Sequence, residues 1–322
     1  MNNNAIHLRA NGKILLTGEY LVLDGAAALA LPLIFNQRMD IIDSEERQIK
    51  WIAADINEVW FECLFSLDNF DIISSSDEII ASRLQKLLRS AASLNPLANP
   101  KNGLNISTHL NFNRFMGLGS SSTLISLIAD LFQIDKFKLH SLVSMGSGYD
   151  VACTSFNHPI IYRKLSKKRV QIKPITFAPA FRDKLFFIWL GRKQDTDIEI
   201  QSYRNRNLSK LPAIIEKISE ITFKITEVEE LSNFASLIEM NEQLIASLLQ
   251  KETLKEKCFR DFNGSIKSLG AWGGDFILAV SEKGLEYVTN YFRSNGFDTV
   301  YCFEDIVLNE KVIHDGDINI RF

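Results

Sequence analysis

Gly117-Leu118-Gly119-Ser120-Ser121-Ser122-Thr123 decides the reading of this chain, because an apolar run from Leu124 to Phe132 follows it directly. Glycines let a backbone come close to a bound group, and the free amides of a helix's first turn add donors and the positive end of a dipole. The segment therefore reads as a phosphate cradle opening a helix, with Gly117, Leu118, Gly119, Ser120, Ser121 and Ser122 around the anion. Hydroxyls of Ser120 and Ser121 at the junction also suit Mg²⁺, a hard cation that prefers oxygen ligands. The pattern is not Walker A, since no Gly-Lys-Ser/Thr follows the glycines, and it lacks the third glycine of the dinucleotide fingerprint. Taken alone, a serine-rich cap on an ordinary turn explains it equally well.

The rest of the chain sets limits on that reading. Its 322 residues suffice for two domains, and 46% hydrophobic with 23% charged residues is the balance of a soluble protein with a real core. A net charge of −3 gives no global pull toward nucleic acid or anionic membrane, so phosphate binding must be local. Cys63, Cys153, Cys258 and Cys302 lie far apart without a CxxC pair, which fits buried thiols in a reducing cytoplasm better than a zinc cage or disulfide framework. Neither a secretory signal nor an apolar stretch of the ~20 residues that span a bilayer is visible. A cytoplasmic protein, monomer or homodimer, is expected, without repeats or low-complexity segments.

Periodicity outlines the elements. Lys13 to Leu23, Leu29 to Ile42, Val59 to Leu67 and Leu104 to Leu110 read as extended. Helical spacing covers Asp77 to Leu94, with Ser75, Ser76 or Asp77 as N-cap, then Leu124 to Phe132 and Lys136 to Met145. Ile160 to Tyr162 begins another strand, and the cluster Lys164, Lys167, Lys168 and Arg169 reads as a solvated turn. Further on, Leu185 to Leu190, Phe276 to Val280 and Thr299 to Phe303 read as strands. Lys210 to Val228, Leu231 to Leu249 and Gly284 to Ser294 read as helices. The class is α+β, with a division near Arg163 to Val170: residues 1–165 carry the phosphate loop and residues 166–322 form a second α+β unit.

Two more glycine segments flank the loop in sequence. Ala10-Asn11-Gly12-Lys13 is followed by Gly18-Glu19-Tyr20, and Gly270-Ala271-Trp272-Gly273-Gly274-Asp275 leads into a strand. A fourth segment is Gly146-Ser147-Gly148-Tyr149-Asp150-Val151-Ala152. In this order the four segments resemble the GHMP kinase family of galactose, homoserine, mevalonate and phosphomevalonate kinases, over nearly the whole length from Ala10 to Asp275. Gly-Ser-Gly-Tyr-Asp-Val-Ala and Gly-Glu-Tyr are most similar to the phosphomevalonate kinase forms.

The resemblance implies a two-domain fold: an N-terminal ribosomal protein S5-like domain that binds ATP, and a C-terminal ferredoxin-like α/β sandwich completing the acceptor site. It implies transfer of the γ-phosphoryl group of ATP, with Mg²⁺, to a small alcohol, phosphomevalonate first and mevalonate or another GHMP acceptor as alternatives. Asp150 would orient the acceptor hydroxyl or take its proton, with Lys13 beside it offsetting charge. Gly270, Gly273 and Gly274 would support the phosphate loop, and Glu19 and Tyr20 would line the acceptor side. Arg192 and Lys193 are the expected cations for an acceptor phosphate; two exposed loop charges explain them equally well.

The sequence also departs from the family pattern. Asn11 and Asn113 stand where prolines are usual, a change expected to affect loop stiffness only, and Trp272 replaces a glycine. Only 30 residues separate Ser120 from Asp150. The offset at which mevalonate kinases carry a Mg²⁺-binding glutamate falls on Leu139, next to His140. These departures motivate an alternative of another class, a catalytically impaired nucleotide-binding protein.

Overall fold

The computed structural model describes residues 5–191, 200–201, 203–204, 211–270, 274–310, 312 and 316–322. Arg192, Lys193, Trp272 and Gly273 therefore lie outside the described residues.

The first strands are β1 (Ile6–Thr17) and β2 (Ala28–Ser44), then β3 (Gln48–Ala54), β4 (Val59–Ser66) and β5 (Ile72–Ser75). Helix α1 (Glu78–Leu94) and β6 (Gly103–Leu110) come next, followed by α2 (Ser120–Leu131), α3 (Lys136–Val143) and α4 (Tyr149–Cys153). β7 (Ile160–Ser166) and β8 (Arg169–Pro174) form a hairpin whose turn exposes Lys167, Lys168 and Arg169. The remaining elements are β9 (Leu185–Trp189), α5 (Leu211–Ile225), α6 (Leu231–Leu249), α7 (Leu254–Cys258), β10 (Ser265–Leu269) and β11 (Phe276–Val280). The chain closes with α8 (Gly284–Ser294), β12 (Val300–Cys302), α9 (Phe303–Ile306) and β13 (Ile318–Arg321).

Two sheets organise them, which makes the class α+β as expected. The larger runs β13-β8-β7-β2-β6-β3-β4-β5 with β1 paired to β2, and β3 and β6 are its parallel neighbours. The smaller is antiparallel, in the order β10-β11-β9-β12. The boundary expected after residue 165 falls inside β7, and β8 and β13, both beyond it, pair into the larger sheet.

Period-two alternation explains the second layer. On β9, Leu185 and Phe187 face Ile221 of α5 and Phe234 and Ile238 of α6, whereas Phe186 and Ile188 face Val288 and Phe292 of α8. Both faces of this sheet are thus covered, so β9 and β11 read as unbroken apolar runs. Over the larger sheet, Trp51, Phe61 and Phe65 pack with Leu84 and Leu88 of α1 and Ile125 and Ile128 of α2. Asp77 caps α1, its carboxylate accepting from the amides of Ile79 and Ile80 at 2.9 and 3.0 Å.

Several boundaries differ from the sequence expectation. Lys13 to Leu23 is not one strand: β1 ends at Thr17, the backbone turns with Gly18 and Tyr20 at positive φ, and Leu21–Asp24 forms a 3-10 turn. Helix α2 begins at Ser120, four residues before the apolar run, because the serines supply its first turn. Phe303 opens a helix rather than closing a strand.

Candidate active site

The site is assembled on β1. Among the described residues this strand pairs only with β2, so amides on its other edge are available to other partners. The Asn11 amide donates to Thr154 O, just after α4, and the Lys13 amide donates to Leu118 O in the glycine loop, both at 2.9 Å. The ladder with β2 is irregular between them: Asn11 pairs with Asn36 but Lys13 with Pro32. Gly12 sits at that break, where a Cβ would lie 2.9 Å from both Leu118 O and Phe35 O. A side chain there would push the loop off the strand.

Asn11 does more than change stiffness. Its buried amide donates to Phe156 O at 3.0 Å and Asn157 Oδ1 at 2.9 Å, fixing the segment behind α4. Asn113 organises the approach to the loop, its Oδ1 accepting from the Phe115 amide. Two buried hydroxyl contacts complete the frame. Thr154 Oγ1 donates to Ser126 Oγ at 3.0 Å, joining α4 to α2, and Thr123 Oγ1 donates to Gln37 Oε1 at 2.7 Å, joining α2 to β2.

Within that frame the Lys13 ammonium donates to Gly117 O at 3.2 Å and sits 5.8 Å from the Tyr149 ring centroid. Gly119 precedes α2, so the amides of Ser120, Ser121 and Ser122 open the helix. Ser120 is half-buried and Ser121 exposed, whereas the Ser122 hydroxyl turns back to donate to Gly119 O and the Leu118 side chain joins the core. Ser122 and Leu118 therefore offer the loop only their backbone groups.

Asp150 stands in the first turn of α4, about a third exposed; its Oδ1 accepts from the Val151 amide at 3.0 Å and lies 3.9 Å from His140 Nε2. Among the described residues the third glycine segment reaches the loop through Asp275. Asp275 borders Gly117, while no atom lies within 4 Å of the Cβ position of Gly270. Gly274 is buried just before Asp275. Asp275 and His140 are the residues that sequence reasoning missed as site members, although both stood next to motifs it singled out.

Charge follows the geometry. Burial works to lower the Lys13 pKa, but the opposing charges of Tyr149, Asp150 and Asp275 outweigh it and hold the ammonium above its ordinary value. Burial pushes the Tyr149 phenol up to about 12 despite Lys13. Burial also lowers His140, against the Asp150 charge, which keeps the imidazole neutral near pH 7.

Glu19 and Tyr20 are both buried. Glu19 is 3% exposed and ion-paired with Lys267, itself 1% exposed, which also donates to Ser268 O at 2.9 Å. Tyr20 is buried with its ring centroid 5.6 Å from that of Tyr203. Glu242, next to the pair, accepts from the amide and hydroxyl of Ser268 at 3.0 and 2.8 Å. The Gly-Glu-Tyr segment thus ties β1 to α6 and β10.

No protein-family model matches the chain, and no curated protein matches its sequence. Solved structures do match. A mevalonate kinase from Methanococcus jannaschii superposes with a TM-score of 0.67 at 15% identity, over 97% of this chain and 100% of that one. Streptococcus pneumoniae phosphomevalonate kinase, in complex with phosphomevalonate and AMPPNP, gives 0.68 at 18% identity, over 92% and 99%. Lactococcus lactis galactokinase, complexed with galactose, gives 0.67 at 13%, over 98% and 95%. The fold is that of the GHMP kinases. These three matches cover 92% to 98% of this chain. Among the described residues no helix is long and apolar enough to cross a membrane.

Both expected cofactors can be tested against the GHMP kinase fold as this chain builds it. The open amides of α2, the positive φ of Gly117 and the Lys13 ammonium fit a phosphate group. Among the described residues no group of three or more His, Cys, Asp or Glu side chains could hold a metal. The donor set, with the half-buried Ser120 hydroxyl, fits a Mg²⁺ ion that keeps phosphate and water oxygens as ligands, not a protein cage.

Proposed function

We propose that the chain is an ATP-dependent phosphotransferase acting on a small alcohol, with phosphomevalonate as the favoured acceptor. One observation carries the reading: β1 brings Lys13 to the glycine loop at Gly117 O while the charge of Asp150 acts on the same ammonium. A cation between a phosphate cradle and a carboxylate is the arrangement phosphoryl transfer to a hydroxyl requires, since that reaction depends on positioning and charge more than on covalent chemistry. Bound ATP supplies the phosphoryl group, and Mg²⁺ neutralises charge on its oxygens.

Asp150 orients the acceptor hydroxyl and takes its proton late, Lys13 offsets charge on the moving group, and Ser120 and Ser121 hold phosphate and metal oxygens. Gly117, Gly119 and the α2 amides surround the phosphates, and Gly270, Gly273 and Gly274 are assigned to support of that loop on their place in the sequence. Phosphomevalonate is favoured over mevalonate and sugars by the Gly-Ser-Gly-Tyr-Asp-Val-Ala stretch; its phosphate is assigned to Arg192 and Lys193 on their position after β9. Of the thiols expected to be buried, Cys63 and Cys153 are, whereas Cys258 is exposed.

ADP release measured against mevalonate, phosphomevalonate, homoserine and galactose, with Asp150→Asn as control, tests the reading. Turnover on phosphomevalonate that Asp150→Asn abolishes is the expected result. Tight ATP binding without turnover on any acceptor would favour the nucleotide-binding alternative, which the absence of a glutamate at Leu139 motivates.

A further inference from the structure

His140 is the one buried ring in this neighbourhood whose chemistry the site does not yet use. Its side chain is 7% exposed, on α3, and Nε2 is buried without a hydrogen-bond partner. Leaving such a nitrogen unpaired costs about 1–3 kcal/mol, so a retained orphan calls for an explanation.

The surroundings supply one. The ring lies beneath the loop that carries Asp150: a Cβ on Gly146 would stand 3.4 Å from Nε2 and one on Gly148 would stand 3.7 Å from Nδ1. Tyr162 pins the same loop from below by donating its hydroxyl to Ser147 O. Nε2 is 3.9 Å from Asp150 Oδ1, too far for a hydrogen bond but within a shift of about 1 Å of one. Oδ1 is already held by the Val151 amide, and no hydrogen bond reaches Oδ2 among the described residues.

We propose that His140 is a positioning residue for Asp150: in the acceptor complex its Nε2–H closes onto Oδ1 and holds the carboxylate with Oδ2 turned to the acceptor hydroxyl. This rests on the phosphotransferase reading above. Hydrogen bonds of this kind are commonly long without ligand and tighten in the productive complex. The charged groups that act on the imidazole are Asp150 on α4 and Lys164 on β7, and Lys13 and Tyr149 act on Asp150 from the other side. Protonation of His140 at acid pH places a full positive charge beside Oδ1, which weakens Asp150 as a proton acceptor and slows the reaction.

Two measurements on the full chain test the proposal. In steady-state ADP release, His140→Phe is expected to lower kcat about tenfold or more with the KM for ATP unchanged, and His140→Gln, whose amide keeps a donor near Nε2, to recover most of it. The acid limb of the kcat profile should move to lower pH in His140→Gln, which a purely structural histidine would not produce. In the ligand-free protein, side-chain NMR of His140 should report the Nε2–H tautomer and a pKa that falls by about half a unit or more in Asp150→Asn. A folded His140→Phe with parental kcat and pH profile overturns the proposal, as does a His140 titration indifferent to Asp150→Asn. The NMR arm needs no turnover. If the parent phosphorylates no acceptor, the phosphotransferase reading fails by itself, and an uncoupled His140 still refutes the pairing. If His140→Phe fails to fold, His140→Gln and the titration carry the decision.

Discussion

The Asp275 carboxylate lies against the α-carbon of Gly117, in the space that any side chain at that position would occupy. The last glycine segment and the phosphate loop, far apart in sequence, therefore meet in van der Waals contact. Gly117 also has φ +74°, a conformation that costs other residues about 1–2 kcal/mol. Gly117→Ala should weaken ATP binding about tenfold or more, read by calorimetric titration, since 1.4 kcal/mol is a factor of ten. Adding Asp275→Ala relieves the overlap but not the backbone strain, so the double variant should recover only part of the affinity.

Lys13 is linked to the loop through both its amide and its ammonium. Lys13→Met keeps the first link and removes the second. Its kcat for ADP release should drop by roughly 10²-fold or more, the usual effect of losing one preorganised donor at a developing charge. An unchanged kcat would remove Lys13 from the chemistry.

Lys267 and Glu19 are both almost fully buried. Burial pushes the Glu19 carboxyl up, against the pull of Lys267. Lys267→Met leaves Glu19 and Glu242 without their cation and should cost about 3–5 kcal/mol in denaturant unfolding. Glu19→Gln combined with Lys267→Met should cost less than Lys267→Met alone, because the stranded charge is gone.

Glu242 makes stability depend on pH in a definite direction. Burial raises its pKa to about 7, against Lys267 and Ser268 and with help from Glu19. The folded state thus binds this proton more tightly than the unfolded chain, whose carboxyl titrates near 4.5. The stabilisation is complete below pH 4.5 and is lost as pH rises to about 7, by up to ~3 kcal/mol at 1.36 kcal/mol per pKa unit. Glu242→Gln should lack this dependence, so the stability of the parent minus that of the variant should fall across that window in urea unfolding.

Much of this was legible in sequence. The 3.6-residue spacing of Leu84, Leu88 and Ala91 and the Asp77 cap are local, and α1 follows from them. The Gly117–Thr123 segment likewise announced a helix start, because small residues and hydroxyls act on their own backbone. β10 escaped notice because Ser-Ile-Lys-Ser-Leu has the polarity of a surface strand, yet all five residues are buried. Lys267 is tolerated there only because Glu19, 248 residues away, neutralises it. A single apolar-versus-polar pattern cannot register a partner at that distance.

The same division holds for the site. Sequence alone determined the glycine segments, their order, and a helix directly after Gly117–Thr123, since those depend on the conformational freedom of glycine and on hydroxyls bonding nearby amides. Tertiary structure decided which segments touch. It put Asp275 at Gly117, paired Glu19 with Lys267, and set His140 beside Asp150. Each of those outcomes depends on strand register and on charges brought together from distant parts of the chain, where Coulomb and packing forces act through space and leave no periodic trace along the sequence.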